Sequence, residues 1–413
     1  MKIPHITRWI TVLALFTLAL APTAAQEETS TPLLEMLALV PDNVTVPPVV
    51  TYADYRVLEA MRGITNPPLN SVDDLRTEAG GLWIAATMGL GAGMPLNNLA
   101  GYLEGMADVV GFAFADIDHT LEFGNPPSMG TLLGGTFDSK AIATAYSARD
   151  FTETAIGDVP VWCGPDGCEE GMAFNIDLRN QANPFGGSLG RNEPLALLPG
   201  YLADSPDISV VENIVSAYHE EIPSLADSPA YTSLAGAAGA AGSVAQILIM
   251  DFSGVGVFGG EFVPEISDEL RAAIANYGTL PPYTAFALAD VWDGGDQEIT
   301  LLMLAYPDAT QAETAAAELP QRLATYVPMI QAAKRALVDM LNDRGSTIGE
   351  SYVYESESGY AVAVVPISAP VPSNERQEGR PAYLPSGLTF KLFVNALWSR
   401  DLAFIASEIT LPE

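Results

Sequence analysis

Apolar strands bounded by turn residues alternate with amphipathic helical stretches, and one such order occurs twice. The chain therefore predicts an α+β fold: two related units of mainly antiparallel sheet, with helices covering one face, arising from internal duplication. Two echoes carry this. FAFADI, at 112–117, reads as a strand and returns at 286–291 as FALADV. Downstream of each, a second apolar strand stops at an aspartate, Asp138 or Asp308, placed to cap the next helix.

Each echo has matching neighbours. The helical stretches LNNLAGYLEGMA and SDELRAAIANYG precede them. Hairpins follow, at 159–163 with 171–177 and at 352–355 with 360–366, and the apolar runs at 195–203 and 402–407 read as closing strands. The predicted division is a signal peptide at 1–25, then a linker and helical segment with one strand at 26–94. The first repeat unit occupies 95–258 and the second 259–413.

The first residues fit a secretory leader, with Lys2 and Arg8 ahead of the apolar run from Trp9 to Leu20, then Thr23, Ala24 and Ala25 before Gln26. No cysteine follows at once, which argues against a lipid anchor. Pro32 opens an apolar helix, LLEMLALV. Residues 51–64 form a second helical stretch, with Tyr52, Tyr55, Leu58 and Met61 inward and Asp54, Arg56, Glu59 and Arg62 on the solvated face. The apolar run 81–90 reads as a strand, and the glycines at 89–93 as a packing turn.

Residues 234–250 are hydrophobic enough to suggest a membrane span. Their Gly/Ala content, Ser243, Gln246 and the closing Asp251 point instead to a buried helix running into a buried strand. The stretch from Ala309 to Arg344 reads as a helix broken at Pro320 and Pro328. It carries a cationic cluster of Arg322, Lys334, Arg335 and Arg344.

The order of elements, with LPGYLADSP at 198–206 and SLADSPAY at 224–231, resembles families of uncharacterised exported bacterial proteins with duplicated α+β domains. The resemblance implies an architecture and brings no known activity, since the shared residues are caps and turns.

Eighteen basic residues against 51 acidic ones give a net charge of −33 over 413 residues. That field repels nucleic acid and anionic lipid, and it suits cations or basic surfaces. Cys163 and Cys168 bracket a Gly-Pro-Asp-Gly turn and predict a disulfide in an exported chain. Gly186 to Gly190 spells G-x-S-x-G but lacks the flanking strand and helix of a nucleophile elbow. The candidate ion ligands are Asp116 and Asp118 in one copy and Asp290, Asp293 and Asp296 in the other, read as turns that offer carboxylates to calcium. No other cofactor is implied.

The expected function is a non-catalytic binding or scaffolding protein of the bacterial cell surface, periplasm or extracellular space. Its partner is an envelope or extracellular protein or ligand, and the mature chain has no membrane span. The alternatives are a secreted carboxylate-dependent hydrolase and an extracytoplasmic solute-binding protein.

Overall fold

The computed structural model describes residues 31–42, 49–65, 67, 69–90, 99–125, 128–165, 167–168, 175–187, 189–190, 194–251, 268–328, 335–376, 383–399 and 401–407. Residues 1–30, where a leader is expected, lie outside them.

Thr31 caps α1 (Pro32–Leu37), accepting from the Leu34 amide. The expected second helix splits. β1 (Val49–Asp54) takes its first residues, and Asp54 then caps the short α2 (Tyr55–Met61). The run read as a strand at 81–90 is instead α3 (Glu78–Thr87), capped by Thr77. An apolar run with no clear period suits either element, and the Thr77 cap decides it. α4 (Leu99–Val110) leads to residues 112–117, where a second correction falls. FAFADI is not a strand but a 3₁₀ turn at Phe114–Asp116, closed by the Asp116 carboxylate on the Ala113 amide at 2.7 Å.

β2 (Ile117–Asn125) and β3 (Ser128–Gly135) follow as a hairpin, then α5 (Ser139–Ser147) with Asp138 as its cap. β5 (Val159–Cys163) pairs with β4 (Thr152–Ile156) rather than with 171–177, of which only 175–177 are described. The run at 195–203 is two strands, β6 (Leu195–Leu198) and β7 (Tyr201–Asp204), because Pro199 and Gly200, with φ +78°, reverse the chain. α6 (Ile208–Tyr218), α7 (Pro229–Ala241) and β8 (Ser243–Met250) then give the expected buried helix and strand.

α8 (Asp268–Ile274) precedes β9 (Ala285–Trp292), which contains FALADV, and β9 pairs with β10 (Gln297–Tyr306). FAFADI and FALADV thus occupy different positions, a turn and a strand. Asp308 caps α9 (Ala309–Thr325), which continues through Pro320, and α10 (Leu337–Asn342) follows. β11 (Thr347–Ile348) and β12 (Tyr352–Glu355) both pair with β13 (Ala361–Pro370), the latter as the expected hairpin. After α11 (Leu388–Trp398), residues 402–407 hold a buried 3₁₀ turn at Ala403–Ile405 where a closing strand was expected.

Among the described residues all the strands join one antiparallel sheet in the order β11-β13-β10-β9-β8-β1-β2-β3-β7-β6-β5-β4, with β12 beside β13. Helices cover both faces, not one. The reason is in the central strands: seven of the eight residues of β9 are buried, so neither of its faces can meet water. One face holds a continuous core under α1, α6 and α7, including Val50, Ile247, Ala287 and Val364. The opposite face carries two cores. One, around Phe286 and Leu304, lies under α8 to α11, and the other, around Trp83 and Phe114, lies under α2 to α5.

Asp308 accepts from the Thr310 amide at 2.8 Å at the start of a helix whose inner face is buried. Asp308→Ala should cost about 1 kcal/mol in urea unfolding. An unchanged midpoint would show that the cap is dispensable.

Candidate functional site

The site is built at the start of α2. Tyr55, Arg56 and Glu59 project from this helix, Trp83 from α3, and Phe114, Ala115 and Ile117 from the turn entering β2. With Pro67 and Leu69 they line a cavity of about 280 Å³. Its aromatic wall is tightly built. Trp83 meets Phe114 edge to face at 5.5 Å, and Tyr55 lies 5.7 Å from Phe114 and 6.4 Å from Trp83.

Glu59 is the polar floor, and it is buried. One carboxylate oxygen accepts from the Trp83 indole N–H at 3.1 Å and the other from Arg56 Nη1 at 2.9 Å. Burial raises its pKa, and the bonds from Arg56 and Trp83 work against that rise. Arg56 also donates Nε to Asp118 and Nη2 to the Ala115 carbonyl at 3.0 Å. Burial would lower the guanidinium's pKa, but its bonds to Glu59 and Asp118 hold it above the ordinary value. Each donating nitrogen of Arg56 is therefore engaged, and the arginine acts as a brace between α2 and the turn.

A second cavity, about 260 Å³, shares Leu69 and Phe114 with the first. Tyr102, stacked nearly parallel to Phe114 at 6.5 Å, lines it together with Asn70, Glu104 and Asp108.

The expected ion ligands do not converge. Asp116 is spent on closing its turn, and Asp118 holds Arg56. Asp293 and Asp296 do lie in an exposed hairpin turn, where Asp293 accepts from the Gly295 amide at 2.8 Å. Asp290 is not in a turn at all. It stands within β9 and is fully buried. Among the described residues no group of three or more His, Cys, Asp or Glu side chains is arranged to hold a metal ion. Cys163 and Cys168 form the disulfide, with Cα atoms 5.0 Å apart. The G-x-S-x-G stretch is a turn on either side of Ser188, which lies outside the described residues. Of the cationic cluster, Arg322 is buried and bonded to Glu318 and the Ala406 carbonyl, while Arg335 pairs with Asp343. Lys334 lies outside the described residues.

Asp290 instead belongs to a buried polar seam between the two cores of one sheet face. It lies opposite Gln246 on β8, whose side-chain amide donates to it at 3.1 Å, and opposite Thr300 on β10. Glu298, two residues along β10, hydrogen-bonds Asp290 and accepts from the Gly387 amide. Burial, reinforced by the Glu298 charge, pushes the Asp290 pKa well above the carboxylate range. The protonated form of Asp290 is thereby favoured, and burial raises Glu298 as well, against the Gly387 amide, Asp290 and the Arg62 charge. The Arg62 guanidinium is 1% exposed and donates to Asn374 Oδ1 and the Leu384 carbonyl, both at 2.9 Å, and to Ser386 Oγ at 3.1 Å.

Arg62 and Glu59 were expected on a solvated face. The structure buries both because each finds a partner that helical spacing cannot show. No family model, curated protein or solved structure matches the chain.

Two tests follow from the seam. Asp290 binds its proton more tightly folded than unfolded, so its contribution favours folding below its unfolded pKa, near 4. That contribution is lost as pH rises towards the folded value. Asp290→Asn mimics the protonated form, so the variant should gain on the wild type in urea unfolding between pH 4.5 and pH 8. Parallel pH profiles would remove the shared proton. Arg62→Leu should cost about 3–5 kcal/mol by leaving Glu298 buried without its counter-charge, and a loss below 1 kcal/mol would contradict the seam's role.

Proposed function

We infer that this is an exported, non-catalytic binding protein of the bacterial surface or extracytoplasmic space. It takes a small organic ligand into the cavity between α2, α3 and the 114–116 turn. The observation that supports this reading best is the cavity itself: three aromatic rings around a buried carboxylate whose bonds fix it in place, the mix of apolar wall and few polar groups typical of ligand sites.

The hydrolase reading needs two carboxylates facing a substrate. Asp290 and Glu298 are close enough to share a proton but are sealed in the interior, and Glu59 and Asp118 are both tied to Arg56. The reading of two lobes closing on a solute needs a hinge. Here β8 and β9, from the two expected units, are hydrogen-bonded neighbours within one sheet, from Ser243 opposite Trp292 to Met250 opposite Phe286.

The duplication reading rests on connectivity in place of the lost echo. β1 and β8 lie side by side at mid-sheet, and next along the sheet from each comes a hairpin, β2 with β3 or β9 with β10. Each hairpin leads into an Asp-capped helix.

Cyclohexanol, cyclohexylamine and cyclohexanecarboxylate sample neutral, cationic and anionic ligands of similar bulk. At ten times Kd, one that binds should add about 1.4 kcal/mol of stability in thermal melts. Ala115→Phe, which fills the cavity, should abolish the gain. The reading fails if none of the three shifts the melt, or if the shift survives the blocking substitution.

A further inference from the structure

We propose that the ligand is a free aliphatic diamine or polyamine, with one ammonium in the Glu59 cavity and the other in the adjoining Glu104 and Asp108 cavity. This deepens the binding reading above and rests on it.

Charge decides first. At the first cavity Arg56 offsets Glu59 and also bonds Asp118 beside it, and Glu104 and Asp108 add two negative charges across Phe114. An anion would have to take Arg56 from Glu59 or Asp118, and it would enter the field of a chain with net charge −33. A cation displaces nothing.

The walls add selectivity for an ammonium over a metal ion. Tyr55, Trp83 and Phe114 surround the first cavity and Tyr102 the second, and aromatic faces attract organic cations. Leu69 and Phe114, common to both cavities, supply an apolar bridge for the methylene chain between two charged ends.

The backbone argues for a free small molecule over a basic peptide. A peptide that binds by adding a strand draws on an open strand edge, and β2, the strand that leaves the cavity, is paired on both sides, with β1 and with β3.

Calorimetric titration of the mature protein tests the proposal with cadaverine, spermidine, butylamine, 1,5-pentanediol and a lysyl-lysine amide. Cadaverine or spermidine should bind at least tenfold more tightly than butylamine, and pentanediol should not compete. Glu104→Gln with Asp108→Asn, both exposed positions, should weaken diamine binding about tenfold and leave butylamine unchanged. The distant exposed pair Glu220→Gln and Glu221→Gln should have no effect.

Equal affinity for butylamine and cadaverine, tighter binding of the dipeptide, or equal losses from both double variants would overturn the diamine assignment. The same is true if pentanediol binds as well as cadaverine, although a ligand site would then remain. If no compound binds and the cyclohexyl series also fails, the cavity itself is not a ligand site.

Discussion

A guanidinium removed from water must have its donors satisfied and its charge balanced, and the placement of Arg62 makes the fold meet both demands. Asn374, Leu384 and Ser386 take its hydrogen bonds, and Glu298 supplies the opposing charge. Those partners come from β10 and from the connection between β13 and α11, more than 200 residues away in sequence. The Asn374 amide returns a bond to the Arg62 carbonyl at 2.9 Å, and the Ser386 amide donates to Ala85 of α3 at 3.0 Å. The chain comes so close here that a Cβ on Gly89 would strike the Ser386 carbonyl. The late connection is thereby pinned between the two cores of one sheet face.

This seam bears on the cavity through α2. A seven-residue helix has little stability of its own, so its position is set by its ends and by the face it buries. Asp54 caps its start through the Val57 amide, and Arg62 fixes the residue just past its end. Tyr55, Arg56 and Glu59 lie between these two anchors. The brace from Arg56 to Asp118 and Ala115 then sets the distance from the helix to the turn, and with it the width of the cavity. Residues lining the cavity thus depend on charges buried elsewhere in the sheet.

What the sequence made legible was local. The helix opened by Pro32, the caps at Asp138 and Asp308, the helix-to-strand passage over 234–250 and the β12 hairpin are each specified by neighbouring residues, and all form as expected. FAFADI misled because alternating aromatics satisfy a strand and a buried 3₁₀ turn equally well, and the deciding contact is the Asp116 cap. The charges on α2 misled for a different reason. Trp83 and Ser386 lie 24 and 324 positions from Glu59 and Arg62, the residues they satisfy, so helical spacing alone assigned those two to water, whereas Arg56 is exposed as expected. Asp290 looked like part of an acidic turn because Asp293 and Asp296 follow it. Its place opposite Gln246 depends on which strands pair, which no local pattern specifies.

Two of the eighteen basic residues, Arg62 and Arg322, are buried and bound to carboxylates or carbonyls inside the protein. The surplus of acids over bases makes the field outside negative. Such a field raises the local concentration of any cation without choosing among them. Choice has to come from a place where charge, aromatic surface and limited volume coincide. The two cavities that meet at Phe114 combine all three, beside an arginine already committed to its own carboxylates.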